Sequence, residues 1–322
     1  MGTNCSYFSK WQVFMKTPHE PVSQLDSGES NVELLSVGNE LLSGTITNTN
    51  AQWISSKITR AGGVVKRITT VGDCTVDISH AVKECIERGP RWLIISGGLG
   101  PTYDDRTLQG LSSALGQELV SDARAVHMLR KSYSLIRKCV VKDVKLNDAQ
   151  LKMAMIPKGS TPIQNPVGSA PAVFIQEEKT KTRIFALPGV PKEMKAIFST
   201  VIMPQFKEIV GNYHFVESVF ETVGVTESML APTLSRLVNS YHTNDIYLKT
   251  HPKGYSYGYG MNVSSNSRIK PRSKPEPKLN IQIASKGKDK LQVETRYNTI
   301  LGTLKEDIQK LGGKIHQTNP SE

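Results

Sequence analysis

Between residues 32 and 96 the chain switches repeatedly between short apolar runs and helical stripes, and that alternation limits the fold more than any other feature. Residues 32–37 form the first run and deliver a loop at Gly38. Ala51, Ile54, Ile58 and Ala61 then recur at three- and four-residue steps until Gly62 and Gly63 stop the helix they define. Residues 64–71 form the next run. Ile78, Ala81, Val82, Cys85 and Ile86 trace one face of a second helix that ends at Gly89 and Pro90, and residues 92–96 supply a third strand. This order predicts an α/β fold, a three-layer α/β/α body with a mostly parallel sheet and right-handed crossovers.

The pattern continues. Leu108, Leu111 and Leu115, then Val126, Leu129, Tyr133 and Ile136, read as covering helices; residues 172–175 and 184–187 read as short strands. A helix with Met194, Ile197, Phe198, Val201 and Ile202 on one face follows, and the first body is expected to close near residues 204–213. Beyond it the order becomes strand (215–223), helix (226–240), strand (246–250), strand (279–284) and a helix within 291–311, a small βαββα(β) sandwich. The expected organisation is a flexible leader over 1–30, a first domain over 31–208 and a smaller α+β domain over 209–322. A polar insertion at 254–277, rich in Gly, Ser, Tyr, Lys and Pro, interrupts the second domain.

A chain of 322 residues is long enough for two cores. No apolar run approaches the roughly 18 residues of a membrane span, so no membrane role is expected. Cys5, Cys74, Cys85 and Cys139 are scattered without paired spacing, which fits a reducing, cytoplasmic setting, with Cys85 as core filler on its apolar stripe. The net charge of +11 is concentrated late in the chain: Lys249, Lys253, Arg268, Lys270, Arg272, Lys274, Lys278, Lys286, Lys288 and Lys290 face only Glu276 and Asp289 over that stretch. Such a field attracts polyanions, nucleic acid included, and it is equally what a solvated basic loop produces.

Chemistry concentrates where the third strand ends, at Ser96-Gly97-Gly98-Leu99-Gly100-Pro101-Thr102-Tyr103-Asp104-Asp105. Glycines there let backbone N–H groups approach an anion, and a phosphate is the natural occupant. Asp104 and Asp105 would repel that phosphate unless a divalent cation, Mg²⁺ or similar, lay between them; Asp105 reads equally as a helix N-cap. Two more strand-end loops should reach the same edge of the sheet. One carries Asn39, Glu40, Asn48 and Asn50 and the other Asp73, giving carboxylates beside amides able to grip a ribose or heterocycle. Gly168 and Ser169 lie on a turn-forming loop able to cap a phosphate or ring. Glu193 reads either as a dipole complement or as a catalytic group.

The segments 37–44, 71–73, 97–107, 165–171 and 187–194, taken in order, resemble the CinA amino-terminal, molybdopterin-binding (MoaB/MogA-like) domain family, in its short archaeal form without an amidohydrolase domain. The resemblance covers residues 32–205. It implies the molybdopterin-binding fold, a nucleotide or pterin ligand, a homo-oligomer and a KH-type second domain. It further implies metal-dependent hydrolysis of a nucleotide pyrophosphate such as ADP-ribose. Under that reading Gly97, Gly98, Leu99, Gly100, Pro101 and Thr102 hold the phosphates, with Asn39, Asn48, Asn50, Gly168 and Ser169 around them. Asp104 and Asp105 hold the metal, and Asp73, Glu40 and Asp105 act on water. Adenylyl transfer to molybdopterin and non-catalytic nucleotide or RNA binding are the alternatives. Deamidation is not expected, because the chain ends near the close of the second domain. Asn39 stands where relatives of this type commonly carry Asp.

Overall fold

The computed structural model describes residues 28–241, 245–256 and 276–318. The leader expected at 1–30 lies outside them up to residue 27, with Cys5, and the insertion expected at 254–277 lies outside them over 257–275. Residues 254–256 and 276–277, which the sequence reading assigned to the insertion, are strand instead: the backbone ladder continues through Ser256 and resumes at Glu276.

The first half contains β1 (Asn31–Val37), α1 (Asn39–Leu42), α2 (Thr49–Arg60), β2 (Val64–Val71), α3 (Thr75–Arg88) and β3 (Trp92–Ser96). Next come α4 (Thr107–Leu115), β4 (Leu119–Ser121), α5 (Ala123–Arg137), α6 (Asp148–Lys152), β5 (Met155–Pro157) and β6 (Thr161–Ile163). They are followed by β7 (Ala172–Gln176), β8 (Arg183–Leu187), α7 (Pro191–Ile197) and α8 (Met203–Val210). One π-helical turn, Phe198–Ile202, joins α7 to α8. The single helix expected there is thus one rod with a bulge, which keeps Phe198, Ile202 and Phe206 all buried against the same layer.

Six strands form a sheet in the order β2-β1-β3-β8-β7-β6. β2, β1, β3 and β8 are parallel, and β7 pairs antiparallel with both β8 and β6. Strand parity then builds two cores. Leu35, Val37, Leu93, Ile95, Ile184 and Ala186 point to the face covered by α3, α4 and α5, where Ile78, Val82, Leu111 and Leu129 are buried. Their neighbours Leu34, Trp92, Ile94, Phe185 and Leu187 point to the other face, against Ile54, Ile58, Met194, Phe198 and Phe206. Both faces being covered is why the strands read as continuous apolar runs, and the result is the expected three-layer α/β/α architecture. The antiparallel pair β4–β5 was not legible, because each strand is only three residues long.

The second half gives β9 (His214–Val223), α9 (Glu227–Asn239), β10 (Ile246–Ser256), β11 (Glu276–Gly287), α10 (Lys290–Lys310) and β12 (Lys314–Thr318), in the expected βαββαβ order. Its sheet runs β10-β11-β9-β12, and Phe220, Leu230, Ile281, Ile283, Ile300, Leu304 and Ile308 form a third core under α9 and α10. The two bodies meet where Arg60 on α2 pairs with Glu217 on β9 at 2.9 Å and lies over the Phe215 ring.

One polar residue hides inside an apolar run. Glu33 on β1 is 5% exposed, and the Arg88 guanidinium grips it through Nε at 2.9 Å and Nη2 at 2.7 Å. Beside this pair, burial pushes the Cys85 thiol strongly up, and the Glu33 charge adds to the shift, so Cys85 is a protonated core residue as its stripe predicted. Arg88→Met leaves Glu33 buried and unpaired. It is expected to lower the unfolding free energy by about 3 kcal/mol in urea titration, with much of the loss recovered by adding Glu33→Leu.

Candidate functional site

The order of strands sets the place. β1 is flanked by β2 on one side and β3 on the other, so the loops leaving the carboxyl ends of β1 and β3 diverge, and a crevice opens between them. A cleft of about 480 Å³ occupies that edge. The glycine-rich bend opens onto it, as do the loops after β1, β2 and β8 and residues 169–170 ahead of β7. The antiparallel direction of β7 is what brings its beginning, rather than its end, to the ligand edge.

The bend is held from below. Gly97 has φ +105° and Gly98 φ +66°, and a Cβ on Gly97 would stand 2.2 Å from the Val37 carbonyl oxygen of the neighbouring strand. The buried Thr107 hydroxyl, at the start of α4, donates to the Gly97 carbonyl at 2.7 Å, and the Thr107 N–H donates to the Gly98 carbonyl at 3.2 Å. Both carbonyls are thereby turned away from the cleft. The N–H groups of Gly98, Leu99 and Gly100 donate to no acceptor among the described residues. Three main-chain donors in succession form a concave, partly positive surface suited to an anion.

Across the next turn, Asp105 Oδ2 accepts from the Thr102 N–H at 2.8 Å and from the Thr102 hydroxyl at 2.6 Å, and that same hydroxyl also reaches Asp104 Oδ1. Asp105 therefore closes a turn; the N-cap of α4 is Arg106, so the helix-cap reading of Asp105 does not hold. The Thr102 hydroxyl keeps the Asp104 carboxyl below the usual carboxylate range, with its own backbone N–H and the charges of Lys152 and Arg106 adding to the effect. Two carboxylates gathered on one hydroxyl repel each other. Lys152 on α6, which the sequence reading did not single out, supports this turn from outside by donating to the Thr102 carbonyl.

The remaining residues divide by what their side chains already do. Asn39 and Asp73 bond reciprocally: the Asn39 N–H donates to Asp73 Oδ2 at 2.9 Å, and the Asp73 N–H to Asn39 Oδ1 at 3.3 Å. This fixes the Asp73 carboxylate at the cleft wall, with Asn39 as its support. Glu40 folds back over Gly38, close enough that a Cβ there would sit 2.5 Å from Glu40 Oε1. Asn48 spends its amide on structure, capping α2 through Ala51 and donating to Ser36 at 2.9 Å. Asn50 donates to the Gly189 carbonyl at 2.8 Å, and its Oδ1 is buried without a partner. The Gly168 N–H is taken by Asn165 Oδ1 at 2.8 Å, while Ser169 lines the cleft. Asn165 is thus the organiser of that loop, a role visible in sequence only as an Asn ahead of a Pro-x-Gly turn.

Glu40, Asp73, Asp104, Asp105 and Glu193 all line the cleft, and no Lys, Arg or His lines it among the described residues. Nor do three Asp, Glu, His or Cys side chains gather into a metal centre among them.

This fold and crevice define a molybdopterin-binding type of α/β protein. The probable molybdopterin binding domain matches residues 33–208, and the chain belongs to that family. A protein of Sulfurisphaera tokodaii is 38% identical over 286 residues, covering 89% of this chain and 98% of the relative. A protein of Pyrococcus furiosus is 42% identical over 224 residues, covering 69% and 85%. The solved structure of CinA from Thermoplasma acidophilum, described as of unknown function, is 37% identical with a TM-score of 0.48, and covers 54% of this chain and 98% of that one. Among the described residues no helix is long and apolar enough to cross a membrane.

The bend can be tested directly. Thr107→Val removes the donor to a buried carbonyl and is expected to cost about 1–3 kcal/mol in urea unfolding.

Proposed function

We propose that this protein is a metal-dependent nucleotide pyrophosphatase acting on a substrate such as ADP-ribose. The supporting observation is the mismatch inside one cleft: three free backbone N–H donors shaped for an anion, walled by five carboxylates without a cationic side chain. A diphosphate is favoured in such a place when a cation accompanies it, even with Lys152 and Arg106 close by. Asp104 and Asp105 are the residues that would hold it, and two carboxylates completed by substrate oxygens suit Mg²⁺, which keeps part of its shell for phosphate and water. The ion would neutralise phosphate charge and polarise the anhydride.

The chain's own groups do the rest. The N–H groups of Gly98, Leu99 and Gly100 take the phosphate oxygens and meet the charge that builds as the anhydride opens. Asp73, locked by Asn39, and Glu40 orient the attacking water, and one of them takes its proton as oxygen joins phosphorus and the bridging P–O bond breaks. The products are two monophosphates, AMP and ribose 5-phosphate when the substrate is ADP-ribose. A second reading, adenylyl transfer to molybdopterin, draws on the family description, with the pterin in place of water in the same cradle. In both readings the four-stranded sheet with α9 and α10 is taken as the KH-type body and carries no chemistry.

Incubation with ADP-ribose and a series of divalent ions is expected to release AMP. Asp104→Asn should lower kcat by ~100-fold or more. Absence of AMP release with every ion, while ADP-ribose binds, ends the hydrolytic reading; formation of adenylylated molybdopterin from ATP would replace it with the second. The acid limb of metal binding carries a further check. Because the Thr102 hydroxyl holds the Asp104 pKa down, cation binding is lost only as pH falls through that lowered value. Thr102→Val raises the pKa, so the loss is expected at higher pH in a metal titration.

A further inference from the structure

The wall of the cleft facing away from Asp104 and Asp105 has a chemistry of its own. Glu193 lies there, half-buried, and Asn165 Nδ2 donates to its Oε2 at 2.6 Å. Asn165 is 3% exposed and spends its whole amide on this wall: Oδ1 accepts from the N–H groups of Val167 and Gly168 at 3.1 and 2.8 Å, and Nδ2 also donates to the Ala170 carbonyl at 3.0 Å. Gly168 makes the contact possible, since a Cβ there would stand 2.1 Å from the Glu193 carboxyl carbon. The carboxylate is therefore held in one orientation. Its other oxygen, Oε1, takes no donor among the described residues.

A second acceptor shares this wall. Asn50 gives its amide N–H to the Gly189 carbonyl at 2.8 Å, which fixes the orientation of the amide and leaves Oδ1 buried without a partner. That oxygen has almost no accessible surface, so it shapes the wall rather than meeting a ligand. Glu193 Oε1, an acceptor on a residue that lines the cleft, suits a neutral group that donates, such as a hydroxyl. The position is close to the phosphate cradle. β8 is the strand beside β3, neighbouring strands lie about 4.8 Å apart, and Gly189 packs directly on Gly97, so that a Cβ on Gly189 would be 3.3 Å from the Gly97 Cα. The group one step from a nucleotide's phosphate is its sugar.

We infer that Glu193 reads the vicinal hydroxyls of a ribose attached to the bound phosphates, and that Asn165 is its positioning residue. The inference rests on the phosphate reading of the glycine bend and names the side chain that would select a ribonucleotide over its deoxy counterpart. A carboxylate accepting from ribose hydroxyls is the solution that dinucleotide sites on parallel sheets also reach.

The test is calorimetry of the full chain with Mg²⁺ against three probes: pyrophosphate, ADP and 2′,3′-dideoxy-ADP. The unmodified protein should bind ADP roughly tenfold more tightly than the dideoxy compound, a difference of about 1.4 kcal/mol. In Glu193→Ala, with folding checked by thermal unfolding, the two affinities should converge to within about twofold while pyrophosphate affinity stays unchanged. Asn165→Asp, which replaces the donor to Glu193 by a second carboxylate, should narrow the ratio in the same direction. Equal binding of ADP and dideoxy-ADP by the unmodified protein overturns the inference and leaves the phosphate cradle standing. So does a Glu193→Ala that weakens pyrophosphate as much as ADP, because a general structural role would do that. If none of the three probes binds, the cradle itself falls and the sugar site falls with it.

Discussion

The bond from the Thr107 hydroxyl to the Gly97 carbonyl is the constraint from which the cleft follows. A strand that ends in a parallel sheet must dispose of its last carbonyls. Here a buried side chain from the next helix takes one of them and the helix backbone takes the next. With both taken, the succeeding N–H groups are left without a partner among the described residues. The glycines are the geometric condition for this, since the Val37 carbonyl leaves no room for a side chain at Gly97. A glycine bend without Thr107 would still be a turn, but its donors would have no fixed direction.

The side chains that line the cleft around that bend include five acids, and Lys152 stands just outside on the Thr102 carbonyl. A phosphate site built from lysines binds its anion at any time, whereas a site of backbone donors among carboxylates binds the anion only with a cation. Under the proposed function, occupancy is conditional on two solutes. The Thr102 hydroxyl draws Asp104 and Asp105 to a single point.

Much of this was legible in the sequence, and the reasons differ by element. The parallel core was, because β1, β3 and β8 bury side chains on both faces and so read as unbroken apolar runs. The glycine bend was, because strand, glycines and acids are contiguous. The roles of Asn165 and Lys152 were not, since each acts through a contact made across 28 and 50 residues of chain, with Glu193 and the Thr102 carbonyl respectively. Glu33 was hidden by the run around it, and its partner Arg88 lies a whole helix away. The amides of Asn48 and Asn50 look interchangeable in sequence. Geometry separates them: Asn48 is consumed by a cap and by Ser36, and Asn50 keeps an oxygen without a partner.

The helix α2 touches both halves of the molecule. Its first turn carries Asn50 at the crevice, and its last carries Arg60, paired with Glu217 and stacked on Phe215 of the second body. A helix of 12 residues is a stiff rod about 18 Å long. Its ends share any axial or rotational displacement, so the fit at one end and the seating at the other are two readings of a single mechanical coordinate.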